Sequence, residues 1–312
     1  MHTIMLPQLS GERPFITDGG LETTLIFHEG LELPDFASFA LLKDAAGVEA
    51  LRRYYAPYVA LARERGTGIV LDTATWRASR DWAERLGHSP AELAEANRGA
   101  VELIREIADS APDVPAVVNG VVGPRGDGYV VGDAMTADEA TEYHAEQIGT
   151  FVGAGVDMVS AITMTYVEEA IGIARAAEDA GVPSVISFTV ETDGRLPSGQ
   201  PLREAIEQVD EETDAAPAYF MINCAHPTHF AAVLDEGGPW LERIGGLRAN
   251  ASTMSHAELD EAEELDDGDP ADLAARYAAL RERLPNLNVL GGCCGTDHRH
   301  VGAIAGAWPV RA

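Results

Sequence analysis

Eight short apolar runs that do not alternate with polar residues, most of them followed by a helical pattern, constrain this chain more than any other feature. They fall at 15–17, 69–73, 116–120, 156–162, 183–188, 219–223, 244–249 and 287–290. Helical periodicity or capping marks 48–65, 90–108, 136–151, 167–180, 202–209, 229–234 and 270–284 between them. Unalternating apolar strands imply a parallel sheet buried on both faces. Eight such units close most economically into an α/β (β/α)8 TIM barrel, read here as a single domain over 1–312. An open doubly wound sheet is the weaker fit, because the first strand runs into Asp18-Gly19-Gly20-Leu21-Glu22 and lacks the G-x-G-x-x-G turn. Locally, Ser89 before Pro90 and Thr136-Ala137-Asp138-Glu139 read as helix starts, and Pro57 predicts a kink or a break in the 48–65 helix. The acidic stretch 258–269 reads as a solvated surface helix and loop.

Composition narrows the partners. The formal charge is −29, with Lys43 the single lysine, and an acidic surface of this size repels phosphate backbones, which argues against nucleic acid. The same acid excess suits a high-salt habitat. No run approaches the ~20 apolar residues of a membrane helix, and residues 1–9 lack a signal-peptide pattern. Three cysteines, an odd number, point to a reducing cytoplasm and against a disulfide framework.

Those three cysteines sit where strands end. Cys224 follows Tyr219-Phe220-Met221-Ile222-Asn223, and Cys293-Cys294 stand between glycines in Leu290-Gly291-Gly292-Cys293-Cys294-Gly295-Thr296. In a barrel the C-terminal strand ends share one face, which carries the active site. Buried thiols can be plain core residues, but a vicinal pair flanked by glycines suits backbone bent toward a ligand. Three thiolates fit Zn²⁺, and three protein ligands leave a fourth position open, as in catalytic sites. Such a site holds a substrate thiol as thiolate, poised for alkylation. His226 and His229 read as residues lining or capping the site, His298 and His300 as surface or supporting residues, and Glu22 as a carboxylate satisfying a helix N-terminus. The loop 192–199 reads as a turn-rich connection or a cover for the pocket.

Asp18-Gly19-Gly20, Asn223-Cys224 and Gly291-Gly292-Cys293-Cys294-Gly295-Thr296 resemble the motifs of the homocysteine S-methyltransferase family, supported by the 72–79 stretch, Gly123-Pro124 and Glu142-Tyr143-His144 with Gln147. The resemblance implies a zinc-dependent barrel that methylates homocysteine to methionine. It implies Cys224, Cys293 and Cys294 as zinc ligands and Asp18 near the substrate amino group. Backbone N–H groups of Gly19 and Gly20, with Thr73 or Thr75, are then expected to hold the carboxylate. A small donor is expected, S-methylmethionine or S-adenosylmethionine. One position departs from the pattern: the family's ammonium-binding glutamate after the fourth strand falls on Ile162. Two alternatives follow, a family member that methylates a different thiol and a non-catalytic metal or thiol sensor.

Overall fold

The structure is a computed structural model and describes residues 6–308. The expected domain span of 1–312 therefore extends beyond the described residues at both ends, as does part of the 1–9 segment read for a signal peptide. Eight parallel strands close into a barrel in sequence order: β1 Phe15–Ile16, β2 Gly68–Asp72, β3 Ala116–Val122, β4 Met158–Met164, β5 Ser184–Phe188, β6 Tyr219–Asn223, β7 Ile244–Ala249 and β8 Val289–Gly292. β1 pairs with both β2 and β8, so no edge is left open. The expected (β/α)8 TIM barrel is the fold observed.

The apolar runs explain the closure. Residues pointing inward, among them Phe15, Val70, Val117, Met158, Val185 and Met221, fill the lumen as one cluster. Residues pointing outward join the helix faces in a second, larger core. Strands sandwiched between two apolar layers have no solvated face, which is why their sequences do not alternate.

Ser89 and Thr136 cap their helices, Pro90–Asp109 and Ala137–Ala154, through complete capping boxes. Four local expectations shift. The helix Ala45–Arg65 runs unbroken through Pro57. Tyr54, Tyr55 and Tyr58 bury on its inner side and hold it, while Arg53, whose carbonyl loses its partner, faces solvent. β4 starts two residues late because the Asp157 carboxylate accepts the Val118 N–H at 2.7 Å and pairs with Arg105 at 3.1 Å. β8 continues through Gly291 and Gly292, which side-chain hydrophobicity alone does not mark as strand. A last helix, His298–Ala307, has its N-cap in Asp297 and was not marked by apolar periodicity.

Candidate active site

The ends of β6 and β8 bring the three sulfurs together. Their Sγ atoms all lie within 4.8 Å of one another, and Cys224 Sγ is 3.6 Å from Cys294 Sγ. Bonds of about 2.3 Å at tetrahedral angles place sulfurs about 3.8 Å apart, so the donor set fits one zinc-sized ion. Among the described residues this is the single cluster of three or more metal-ligating side chains.

The backbone around the sulfurs is specified residue by residue. Cys224 holds φ of +53°, a strained value for a non-glycine residue. Its N–H donates to Arg248 O at 3.1 Å, and its carbonyl accepts from His256 Nε2 at 2.7 Å. Cys293 N–H donates to Ala249 O at 2.9 Å. Gly20 lies against this turn so closely that a Cβ there would sit 2.7 Å from the Cys293 carbonyl oxygen. Asn223 ties the tips together. Its Oδ1 accepts from Thr163 N at 2.9 Å and Ser187 Oγ at 2.6 Å, and its Nδ2 donates to Thr163 Oγ1 at 2.8 Å and reaches Cys293 Sγ at 3.8 Å. Thr163 too has a left-handed backbone, φ +68°. Hydrogen bonds from the Cys224 and Cys294 thiols, with Arg248 and Asn223 adding, hold the Cys293 thiol well below its ordinary range. Cys224 and Cys294 are pushed up in return.

A buried charge triad lies beside the sulfurs. The Arg248 guanidinium, from β7, donates through Nη2 to Asp18 Oδ1 at 2.5 Å, through Nη1 to Asp72 Oδ2, and through Nε to Gly292 O at 3.2 Å. Asp18 Oδ2 also accepts from the Tyr54 hydroxyl at 3.0 Å, and Asp72 Oδ1 from Asn119 Nδ2 at 2.7 Å. Burial raises the Asp18 carboxyl, against the pull of Arg248. Gly20 N–H donates to Thr296 O at 2.9 Å. Thr75 Oγ1 donates to Val121 O at 2.7 Å, and Thr73 Oγ1 accepts from Val121 N at 2.9 Å and meets Thr75 Oγ1 at 2.6 Å. Both hydroxyls are thus spent locking the β2 tip to β3, and Gly20 is spent on the β8 turn.

A cavity of about 410 Å³ opens over the sulfurs, a size suited to a small molecule. Asp18, Gly19, Gly20, Glu22, Thr73, Ile162 and Arg248 line it, with Cys224, Cys293 and Cys294. Thr75 does not reach it. Tyr129 covers one side: its hydroxyl is 3.3 Å from Cys224 Sγ and 3.7 Å from Cys294 Sγ, and its ring stacks on His256 at 4.2 Å. Trp76 donates to Ile162 O at 3.1 Å, and Arg77 is stacked between Trp76 and Trp82 at 4.0 and 3.9 Å. The acidic stretch is a largely exposed helix and loop, as expected, and it also forms part of the mouth through Leu259, Asp260, Glu264, Leu265 and Asp266, with Phe27 and Phe36 also in the lining.

The histidines are scaffold. His226 caps the short helix Pro227–Phe230, His229 Nε2 meets Thr253 O at 2.9 Å, and His300 is buried against Asp267 O at 2.7 Å, while His298 is exposed. His144 and Gln147 brace Glu169 and the Thr75 carbonyl from below. The 192–199 loop lies outside the cavity lining.

A family model described as homocysteine S-methyltransferase matches residues 15–308. The chain belongs to the homocysteine S-methyltransferase family, a family of methyltransferases. It is 25% identical to homocysteine S-methyltransferase 4 of Zea mays, over 94% of this chain and 88% of that one. It is 25% identical to betaine–homocysteine S-methyltransferase 1 of Rattus norvegicus, over 96% of this chain and 74% of that one. The homocysteine methyltransferase MmuM from Escherichia coli, in its metallated form, shares the fold with a TM-score of 0.72 at 18% identity, over 95% of this chain and 96% of that one.

For a member of the homocysteine S-methyltransferase family, three residues at the site, Arg248, Tyr129 and His256, have sequence signals that were absent or not read as functional. Arg248 had one available, a charge in the middle of an apolar strand. Tyr129 lies in a loop of ordinary composition, and His256, the first residue of the short helix His256–Asp260, shows itself only through its contacts with the Cys224 carbonyl and the Tyr129 ring. Glu22 stands in the first turn of the short helix Leu21–Thr23, as expected, and its carboxylate also accepts from Ser38 Oγ at 2.7 Å and lines the cavity.

Proposed function

We propose that this chain is a zinc-dependent S-methyltransferase that moves a methyl group from a small donor, S-methylmethionine or S-adenosylmethionine, to a thiol held at Cys224, Cys293 and Cys294. The reaction it fits is homocysteine to methionine. One observation carries the reading: three sulfurs from two strand ends converge at ion-binding separation on the floor of a cavity sized for a small molecule. The names of the maize, rat and Escherichia coli relatives support the thiol, and the metallated form of the last supports a metal. When bound, zinc supplies a Lewis-acid position that keeps a substrate thiol ionised near neutral pH.

The chain's own residues do the remainder. The Asn223 amide and the Arg248 guanidinium stabilise negative charge on Cys293. Trp76 and Leu265, with the exposed Phe27 and Phe36 at the mouth, supply apolar and aromatic wall that suits a cationic sulfonium. The Tyr129 hydroxyl sits over Cys224 and Cys294, where the substrate sulfur must enter. This reading places the protein in the cytoplasm as a single barrel domain, acting on a small thiol and a methyl donor without nucleic acid or membrane partners. Among the described residues no helix is long and apolar enough to cross a membrane.

Ile162 favours a second reading, the same chemistry on a different thiol, because it places an apolar side chain in the cavity wall. The non-catalytic sensor reading has no observation of its own. Incubating zinc-loaded protein with homocysteine and each donor decides between them: methionine is the expected product. Methylation of another thiol alone selects the second reading, and metal binding with no methyl transfer selects the sensor.

A further inference from the structure

The cavity holds two kinds of carboxylate. Asp18 and Asp72 are already matched from inside the chain, since one guanidinium serves both and Tyr54 and Asn119 take further lone pairs. Glu22 is different. Ser38 donates to its Oε1, and among the described residues no cation lies within 4 Å of it. It stands two residues after Gly20, whose backbone packs on the Cys293 carbonyl, and lines the same cavity as the three sulfurs. Ile162, in the same cavity, offers no charge.

We infer that Glu22 is the residue that receives the α-ammonium group of an amino-acid thiol whose sulfur lies at the three cysteines, and that Arg248 has taken Asp18 out of that role. The inference rests on the thiol-methyltransferase reading for the place of the sulfur. A partly buried carboxylate without a counter-ion is held against its own hydration, and a ligand ammonium supplies the missing charge and two or three hydrogen bonds. Burial pushes the Glu22 carboxyl up to about 7, with Asp18 and Cys293 adding repulsion, so its ionisation and ammonium binding reinforce each other. Of the other carboxylates in the lining, Asp127, Asp260 and Glu264 are exposed and screened by solvent, and half-buried Asp266 accepts the Gly268 N–H at 3.1 Å.

The test is calorimetric binding of homocysteine and of 4-mercaptobutyrate, which keeps the thiol, the chain length and the carboxylate but lacks the ammonium. Both are titrated into reduced, zinc-loaded wild type and Glu22→Gln at pH 6 and 8. Wild type is expected to bind homocysteine about tenfold or more tightly than 4-mercaptobutyrate at pH 8, with a smaller ratio at pH 6. Glu22→Gln is expected to lose that ratio and its pH dependence while keeping its affinity for 4-mercaptobutyrate. Equal weakening of both thiols, an unchanged ratio, or no preference in wild type overturns the assignment. Binding that follows the expected pattern without methyl transfer sinks the proposed reaction and leaves Glu22 in its role.

Discussion

Replacing Arg248 with methionine removes the shared cation and leaves Asp18 and Asp72 facing each other, each about 5% exposed. Breaking a buried ion network by deleting one partner costs about 3–5 kcal/mol, because the remaining charges are uncompensated. An unfolding entropy of about 2.1 cal/mol/K per residue gives about 0.65 kcal/mol/K for this chain length, so the melting temperature should fall by about 5–8 °C at neutral pH. The pH dependence follows from Asp18. Burial already raises its carboxyl, and Arg248 opposes the rise, so removing the arginine lifts it further. A carboxyl raised in the folded state contributes stability that is present at low pH and is lost as pH climbs through its folded value. The deficit of Arg248→Met should therefore be small near pH 4 and grow toward pH 8. Adding Asp18→Asn and Asp72→Asn should recover most of it. Scanning calorimetry of wild type, single and triple variants between pH 4 and 8 measures all three effects. A loss under about 1 °C, or one that does not change with pH, would show that the triad is not an electrostatic unit.

Three further outcomes are expected. Asn223→Ala removes four hydrogen-bonding contacts and the support of Thr163 in its left-handed conformation; unfolding in urea should show a loss of about 2–4 kcal/mol. Glu22→Gln should gain stability relative to wild type as pH rises from 5 to 8. A Glu raised to about 7 contributes stability below its unfolded value and loses it through that window, which melting curves across the range will show. Gly20→Ala forces the Cys293 carbonyl away from a Cβ built 2.7 Å from it, so zinc retention against a competing chelator should fall more than thermal stability does.

Much of the barrel could be read from the chain because its strands are buried on both faces, and unbroken apolar runs such as Tyr219–Asn223 mark such strands without help from tertiary contacts. Strand ends were less legible where backbone geometry decides them. Gly291 and Gly292 belong to β8 because of ladder hydrogen bonds that their missing side chains do not advertise. The three cysteines were legible because strand tips share one face of a barrel, so a residue's place in the chain nearly fixes its place in space. The charge balance of the site was not. Asp18 looks like a free carboxylate in a motif, and only the fold reveals that Arg248, 230 residues away, already holds it. The same holds for Thr73 and Thr75, whose hydroxyls look available in sequence and are consumed by each other and by Val121. Tertiary partners for polar side chains leave no local signature, so roles assigned from motif position need the contacts before they can stand.

The most direct test of the central claim is the metal content of purified, reduced protein beside its Cys224→Ser variant. About one zinc per chain is expected in the wild type and its loss in the variant, because three sulfurs this close would share a single ion. Full zinc occupancy in Cys224→Ser, or a metal-free wild type after reconstitution, would contradict it.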